Sequence, residues 1–253
     1  MVAINKKTSV IIVAGGSASR FEQKNLISKQ FLLLDDKSLL VHSLEKFVRL
    51  KGVIEIIIVT NDVDSTNKLL SEVDCTGNIK IKIIEGGKLR QDSVYNGFCV
   101  VDSSTNLIVI HDVARPLFQI KNLERCIEAA SVSGSAILAV PVVDTIKASE
   151  SDKDRLVVKS TVDRTGLYMV QTPQVFSYNL LSRAYKVFKT PEYSQKIVTD
   201  EANMMEILGE QVELIPGDRT NIKITYPEDL KIAEGILKES ENHKKVKIES
   251  GAF

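Results

Sequence analysis

Apolar positions along the chain follow two alternating rhythms. Short runs dominated by β-branched residues recur at Ser9–Ala14, Ile54–Val59, Ile79–Ile84, Leu107–Ile110 and Ala136–Val140, and runs of this length and composition predict strands buried on both faces. Between them the apolar residues take helical spacing: Leu39, Leu40, Leu44, Phe47 and Val48; Leu69, Leu70 and Val73; Val94, Phe98 and Val101; Leu123, Cys126, Ile127 and Ala130. Strand then helix, repeated, predicts an α/β fold with a mainly parallel, doubly wound sheet and right-handed crossovers.

The alternation stops after Pro141. Val142 to Gln171 is rich in charge and in β-branched residues and has no helical stripe, which predicts a projecting β-arm of two or three strands at about 142–171. Helical spacing returns at Leu180, Leu181, Ala184, Val187 and Phe188, and again at Ala202, Met205, Ile207 and Leu208 with Gly209 as the C-cap. A short strand, Val212 to Ile215, follows. Pro227 opens a last helix with Glu228 and Asp229 at the positive end of its dipole and Ile232, Ala233, Ile236 and Leu237 on its apolar face. Residues 238–253 read as a polar, frayed tail, and with no internal repeat or low-complexity linker 1–237 is expected to form a single domain that carries the arm.

Composition narrows the partners. A chain of 253 residues has ample length for a core, and its 33 basic and 33 acidic residues cancel. That balance gives no global attraction to nucleic acid or a membrane surface, so any phosphate site must be local. Cys75, Cys99 and Cys126 are odd in number and widely spaced, which fits neither a zinc ribbon nor a disulfide framework and points to a reducing cytoplasm. His42, His111 and His243 lack metal-site spacing. The apolar stretch Val10–Ala14 is too short for a signal h-region or for the ~20 residues that span a bilayer, so a soluble protein is expected.

Candidate chemistry gathers at strand ends. The first strand runs into Ala14-Gly15-Gly16-Ser17-Ala18-Ser19-Arg20, where small residues would let backbone N–H groups approach phosphates; a plain structural turn is the alternative. The segment matches neither the P-loop nor the Gly-x-Gly-x-x-Gly spacing, which argues against a nicotinamide-dependent reductase. Lys29, nine residues past Arg20, could join it over one polyphosphate, unless both are solvated surface charges. Asp112 follows a strand so apolar that its carboxylate must leave the sheet or meet a cation; it suits Mg2+ beside a phosphate loop, or an ion pair with Arg115. His111 reads as a core histidine. Lys223 alternates with Ile222 and Ile224 and so reads as an exposed lysine on a strand edge.

Taken in order, Ala14 to Arg20, Ser28-Lys-Gln, Glu85-Gly-Gly-x-x-Arg90-x-Asp-Ser-Val94, His111-Asp-x-Ala-Arg-Pro116, Val143-Asp-Thr-Ile-Lys147, Thr161-Val-Asp-Arg164, Gln171-Thr-Pro-Gln174, Thr199-Asp-Glu-Ala202 and Asn221-Ile-Lys-Ile-Thr225 cover nearly the whole chain. This pattern resembles the 2-C-methyl-D-erythritol 4-phosphate cytidylyltransferase family of the non-mevalonate isoprenoid pathway. The resemblance implies a nucleotidyltransferase-like, single cytidylyltransferase domain that moves CMP from CTP to the acceptor phosphate and releases pyrophosphate. It implies Arg20, Lys29 and Lys223 as the catalytic cations and Asp112 as the Mg2+ ligand. Ala14, Gly15, Gly16, Ser17, Gly87, Arg90 and Ser93 would hold the nucleotide, and Arg115, Thr145, Arg164 and Thr199 the acceptor. It also implies a homodimer through the arm, with Arg164 reaching the partner's acceptor phosphate. Ala18, Ser28 and Val113 stand where the family usually has glycine, proline and alanine. The related ribitol-5-phosphate cytidylyltransferases share much of the pattern; Ala114, where they carry serine, and Thr199-Asp-Glu-Ala202 favour methylerythritol phosphate. A non-catalytic nucleotide-binding module is the reading if the cations fail to converge near Asp112.

Overall fold

A computed structural model describes residues 6–15, 28–71, 79–152, 154–193 and 195–249, with the side chains of 241–249 excepted. The elements run β1 (Thr8–Val13), β2 (Leu33–Leu34), β3 (Lys37–Ser38), α1 (Leu39–Phe47), β4 (Val53–Thr60), α2 (Val63–Ser71), β5 (Lys80–Glu85), α3 (Arg90–Cys99), β6 (Leu107–Asp112) and α4 (Ile120–Ser133). They continue with β7 (Ser135–Pro141), β8 (Ile146–Asp152), β9 (Arg155–Val162), β10 (Tyr168–Ser177), α5 (Tyr178–Phe188), α6 (Glu201–Ile207), β11 (Glu213–Pro216) and α7 (Pro227–Glu249). The main sheet has the order β11-β7-β10-β6-β1-β4-β5, parallel except for β10.

Alternate side chains of the central strands point to opposite faces, and both faces are apolar. Val10, Ile12, Ile56, Ile58 and Val109 join Leu40, Leu44 and Phe47 of α1, Leu123 and Ile127 of α4 and Ala233 of α7. Ile11, Ile57, Val59, Ile108 and Ile110 join Val94 of α3, Leu181 and Tyr185 of α5 and Met205 of α6. Helices therefore cover both faces, the arrangement a mainly parallel sheet requires. Strand order reverses between β1 and β6: β4 and β5 build outward on one side of β1, and β6 begins the other. A crevice forms at such a switch point, outside the carboxyl ends of the strands.

Local chemistry sets the element ends. Ser38, Ser177 and Asp200 cap α1, α5 and α6 by accepting from the backbone N–H three residues on. Gly134, at φ 90°, closes α4. Gly209, at φ 72°, follows α6 in the left-handed conformation expected of it.

Three expectations are corrected. The arm is narrower than 142–171: β8 and β9 form their own two-stranded sheet, whereas Tyr168–Gln171 pairs with β7 in the main sheet. β10 continues past a register shift and the cis Thr172–Pro173 peptide to Ser177, where Val175 and Phe176 are fully buried, so a single strand serves two environments with two different patterns. Asn221–Thr225 is an extended segment outside any strand, because its inward partners are loop carbonyls and core atoms rather than a ladder. The tail does not fray at 238; α7 continues to Glu249, since Lys and Glu are good helix formers and propagation adds a hydrogen bond per residue. Among the described residues no helix is long and apolar enough to cross a membrane.

Gly97 lets α3 lie close on β1 and β4: a Cβ there would stand 2.7 Å from Ile11 Cγ2 and 3.1 Å from Val59 Cγ2. Gly97→Ala gains at most ~1 kcal/mol of helix propensity and overpacks a full core at a cost of about 1–3 kcal/mol. The variant is therefore expected to unfold at lower urea concentration than the parent; an equal or higher midpoint would show that the sheet gives way without cost.

Candidate active site

A cleft of about 600 Å³ opens at the switch point, lined by Val13 and Gly15 after β1, Asn61 after β4, Gly87–Arg90 and Ser93 at the start of α3, Asp112–Ala114 after β6, and Lys29, Lys223 and Thr225. Each wall has a reason to be there. Gly86 and Gly87 pass so close to Asn61 and Asp92 that Cβ atoms would fall 2.5 and 2.2 Å from their side chains. Gly87 N donates to Ser93 Oγ at 3.0 Å and Leu89 N to Asp92 Oδ2 at 3.1 Å, which fixes the turn onto the first turn of α3. The positive end of that helix thus borders the cleft and favours an anion there.

Asp112 ends β6 with 8 % of its surface exposed. Its Oδ1 accepts from Arg90 Nε at 2.9 Å and its Oδ2 from Lys223 Nζ at 2.7 Å. Its backbone N–H is held by Thr172 Oγ1 at 3.0 Å. Burial opposes the charge of this carboxyl, but the two cations outweigh burial and hold it well below the usual carboxylate range. Arg90 also donates through Nη1 to both oxygens of Glu201, at 3.3 and 2.9 Å. Burial weakens the Arg90 charge, and the two carboxylates more than restore it. Glu201, with no exposed surface, is pushed up by burial despite Arg90.

Lys223 arrives from far along the chain because its segment is pinned on both sides. Asn221 donates to Gln171 Oε1 at 3.3 Å and to the Thr172 carbonyl at 3.0 Å, and its own carbonyl accepts from Arg115 Nη1 at 2.8 Å. Ile224 is fully buried and its N–H bonds to the Ala114 carbonyl at 2.8 Å. The lysine between these anchors keeps 46 % of its side chain exposed and overhangs the cleft. Lys29, half-buried at the start of a single helical turn (Lys29–Phe31), reaches the Ile224 carbonyl with Nζ at 3.1 Å.

Of the residues expected from the sequence, Gly15, Lys29, Gly87, Arg90, Ser93, Asp112 and Lys223 share the cleft. Ala14 is buried in the core, its N–H bonded to the Val59 carbonyl at 2.7 Å, so it supports the loop from beneath. Gly16, Ser17, Ala18 and Arg20 lie outside the described residues. Thr145, Arg164 and Thr199 are exposed and do not line the cleft of their own chain; Arg164 Nη1 bonds to the Val143 carbonyl at the foot of the arm. The alternative Asp112–Arg115 ion pair is absent, because the Arg115 guanidinium turns to the carbonyls of Asn221 and Val170. Lys223 is exposed as expected, but it lies on a loop rather than a strand edge and is bound to Asp112. Sequence reasoning missed Asn61, Lys88 and Thr225 on the cleft wall, and Glu201 behind it. Glu201 had a signal, a carboxylate inside the Thr199-Asp-Glu-Ala202 motif, but no spacing that linked it to Arg90.

His111 is a core residue as expected, packed at an edge on Phe47 and Phe118 with Nδ1 3.3 Å from Thr172 Oγ1. Burial lowers its pKa to about 3. Between about 6.5, the ordinary histidine value, and about 3 the unfolded chain binds a proton that the folded chain refuses, so stability rises with pH across that window. Acidification from pH 6.5 should cost up to about 1.4 kcal/mol per pH unit from this one group. In urea titrations between pH 6.5 and 4, His111→Gln should show a slope shallower by about one proton. Equal slopes in both proteins would mean that His111 is not held neutral.

Comparison with known proteins places these residues in a wider set. Residues 8–239 match the family described as IspD, 2-C-methyl-D-erythritol 4-phosphate cytidylyltransferase. The protein of that name from Alkaliphilus oremlandii (strain OhILAs) is 42 % identical over 235 residues, 92 % of this chain and 95 % of the relative. Its namesake from Syntrophus aciditrophicus (strain SB) is 39 % identical over 239 residues, 93 % of this chain and 97 % of the relative. The crystal structure of 4-diphosphocytidyl-2C-methyl-D-erythritol synthase from Anaerococcus prevotii DSM 20548 superposes with a TM-score of 0.77 at 28 % identity, covering 92 % of this chain and 97 % of that one.

Proposed function

This chain belongs to the 2-C-methyl-D-erythritol 4-phosphate cytidylyltransferase family, and from that premise we propose that its cleft transfers CMP from CTP to 2-C-methyl-D-erythritol 4-phosphate, a step of non-mevalonate isoprenoid precursor synthesis. A phosphate oxygen of the acceptor attacks the α-phosphorus of CTP, the bond to the β-phosphate breaks, and pyrophosphate leaves. The observation that carries this reading is the convergence of Lys29, Arg90 and Lys223 with Asp112 at the switch point, which a bystander nucleotide site would not need.

In-line displacement at phosphorus needs position and charge more than a protein nucleophile. The turn at Gly15, the Gly87–Ser93 segment and the start of α3 offer backbone N–H groups and a helix dipole to the triphosphate. Lys29 and Lys223, joined in the family pattern by Arg20, neutralise the charge that gathers on the transferring phosphoryl group. Arg115, Thr145, Arg164 and Thr199 are assigned to the acceptor.

The site suits a divalent ion held mostly by the nucleotide. Among the described residues no group of three or more His, Cys, Asp or Glu is poised for a metal, yet each Asp112 oxygen uses a single contact and a carboxylate pair of oxygens accepts about four. Mg2+ takes one or two carboxylates and completes its shell with phosphate oxygens and water. Asp112 would hold it, and when bound the ion would polarise a phosphoryl oxygen as a Lewis acid.

A homodimer through the arm completes the reading. The hairpin and its root expose Leu156, Val158, Tyr168 and Met169, apolar surface that a small ribbon cannot cover alone. Thr145 and Arg164 stand at that root, away from the cleft of their own chain, and serve the partner's acceptor site in a C2 arrangement. The three dispersed cysteines support a cytoplasmic setting.

The direct test offers CTP with 2-C-methyl-D-erythritol 4-phosphate and, separately, ribitol 5-phosphate, and follows pyrophosphate release. Turnover is expected with the first; turnover confined to the second would transfer the chain to the ribitol enzymes, and none with either would leave a binding module. Lys223→Ala should fold normally and lose about 10²-fold in kcat, the scale of removing one preorganised cation from a developing charge. Mixing Arg164→Ala chains with Lys29→Ala chains should recover activity, because half of the heterodimer's sites carry neither defect. Mixed dimers confirmed by mass but as inactive as their parents would put Arg164 in its own chain's site or outside catalysis.

A further inference from the structure

The Asp112–Lys223 pair joins residues 111 positions apart, and both ends are registered against the same two residues of β10. Thr172 Oγ1 accepts the Asp112 N–H at 3.0 Å, and the Thr172 carbonyl accepts from Asn221 Nδ2 at 3.0 Å. Gln171, the residue before it, is buried and turns its side-chain amide to the segment that leads to Lys223. Its Nε2 donates to the Asp218 carbonyl at 2.8 Å, and its Oε1 accepts from the Asp218 N–H and from Asn221 Nδ2, each at 3.3 Å. Asp218 then builds the turn: its Oδ1 accepts from Thr220 N at 2.8 Å and from Thr220 Oγ1 at 2.7 Å, and its carbonyl accepts from Asn221 N at 3.0 Å.

An amide that meets both the N–H and the carbonyl of one residue imitates a strand-to-strand pair. It works in one orientation, because the flipped amide would set oxygen against oxygen. The approach is also close. A Cβ on Gly217 would fall 2.4 Å from Gln171 Oε1, so glycine there lets the chain reach the amide. We propose that Gln171 is a positioning residue: by fixing Asp218 and Asn221 against the stretch of β10 that also holds Asp112, it sets the Lys223 ammonium over the cleft. Neither Gln171 nor the 218–221 turn lines the cleft, so Gln171 acts on turnover through what the turn delivers. Arg115 also bonds to the Asn221 carbonyl, and an effect through it would appear in the acceptor KM rather than in kcat. The inference rests on the functional reading above for its effect on turnover, but not for its effect on Lys223.

Gln171→Met nearly preserves length and volume and removes every one of these side-chain bonds. It should fold, lower kcat about 10-fold and leave the CTP dissociation constant within about 3-fold, since Lys223 acts on the developing charge. In a Lys223→Ala background the same change should cost less than about 2-fold in kcat, because the group it acts through is gone. A glutamine that serves the fold alone would instead lower both backgrounds by the same factor. Gly217→Ala is the second variant: it keeps Gln171 but puts a methyl group where its Oε1 lies, and the same dependence on Lys223 is expected. Failure of both variants to fold would make the contact structural and overturn the proposal.

A measurement without substrate separates the two readings. In protein carrying 15N-labelled lysine, the Lys223 Nζ signal, assigned by its disappearance in Lys223→Ala, should report an ion-paired ammonium in the parent. In either variant it should report a solvent-exchanging one. An unchanged Lys223 signal, or multiplicative losses of kcat in the double variant, overturns the proposal. An altered Lys223 signal in a protein whose parent transfers no CMP would uphold the positioning role and reject the functional reading instead.

Discussion

One carboxylate at the end of the most buried strand governs this molecule. Asp112 completes β6, all of whose residues are buried, and a charge there persists only because cations come to it. Breaking a buried pair by removing one partner typically costs about 3–5 kcal/mol, so the start of α3, which delivers the mostly buried Arg90, is bound to its place by the interaction it serves, while Lys223, nearly half exposed and screened by water, adds far less. The start of α3, the start of α6 and the segment around Asn221 are all arranged about this point. The reactive surface and the stability of the switch-point crevice therefore share their determinants.

The arrangement also gathers one group of buried polar side chains beside Asp112. Thr172 holds the Asp112 backbone and approaches His111, while Gln171 and Asn221 bind one another and the turn that precedes Lys223. These groups sit where β10 shifts register beside β6 and β7. An unbroken ladder there would have left no side-chain partners for the incoming loop.

Much of the architecture was legible in the chain. β1, β4, β6 and β7 are continuous apolar runs because both of their faces are covered, and such runs declare themselves. β10 was hidden because its first residues are exposed and its last are buried, and a proline interrupts it, so no single period describes it. The cleft cations were legible as motif residues, but their partners were not. Arg90 and Glu201 are 111 residues apart, as are Asp112 and Lys223, and neither pair has a local spacing that a sequence could display. Lys223 in particular imitates an edge strand through its alternating isoleucines, when in fact Ile224 anchors a loop.

That long separation gives synthesis a direction. The sheet from β1 to β7 is encoded before residue 142, and the Asp112 carboxylate is present once β6 has emerged, yet its second cation belongs to a segment that leaves the ribosome only after β11. The ammonium over the cleft thus emerges only after every strand of the main sheet. A nascent or cleaved product ending between Pro216 and Asn221 would carry every strand of the main sheet while lacking the ammonium over the cleft, so the sheet and the charge of its crevice are separable along the chain.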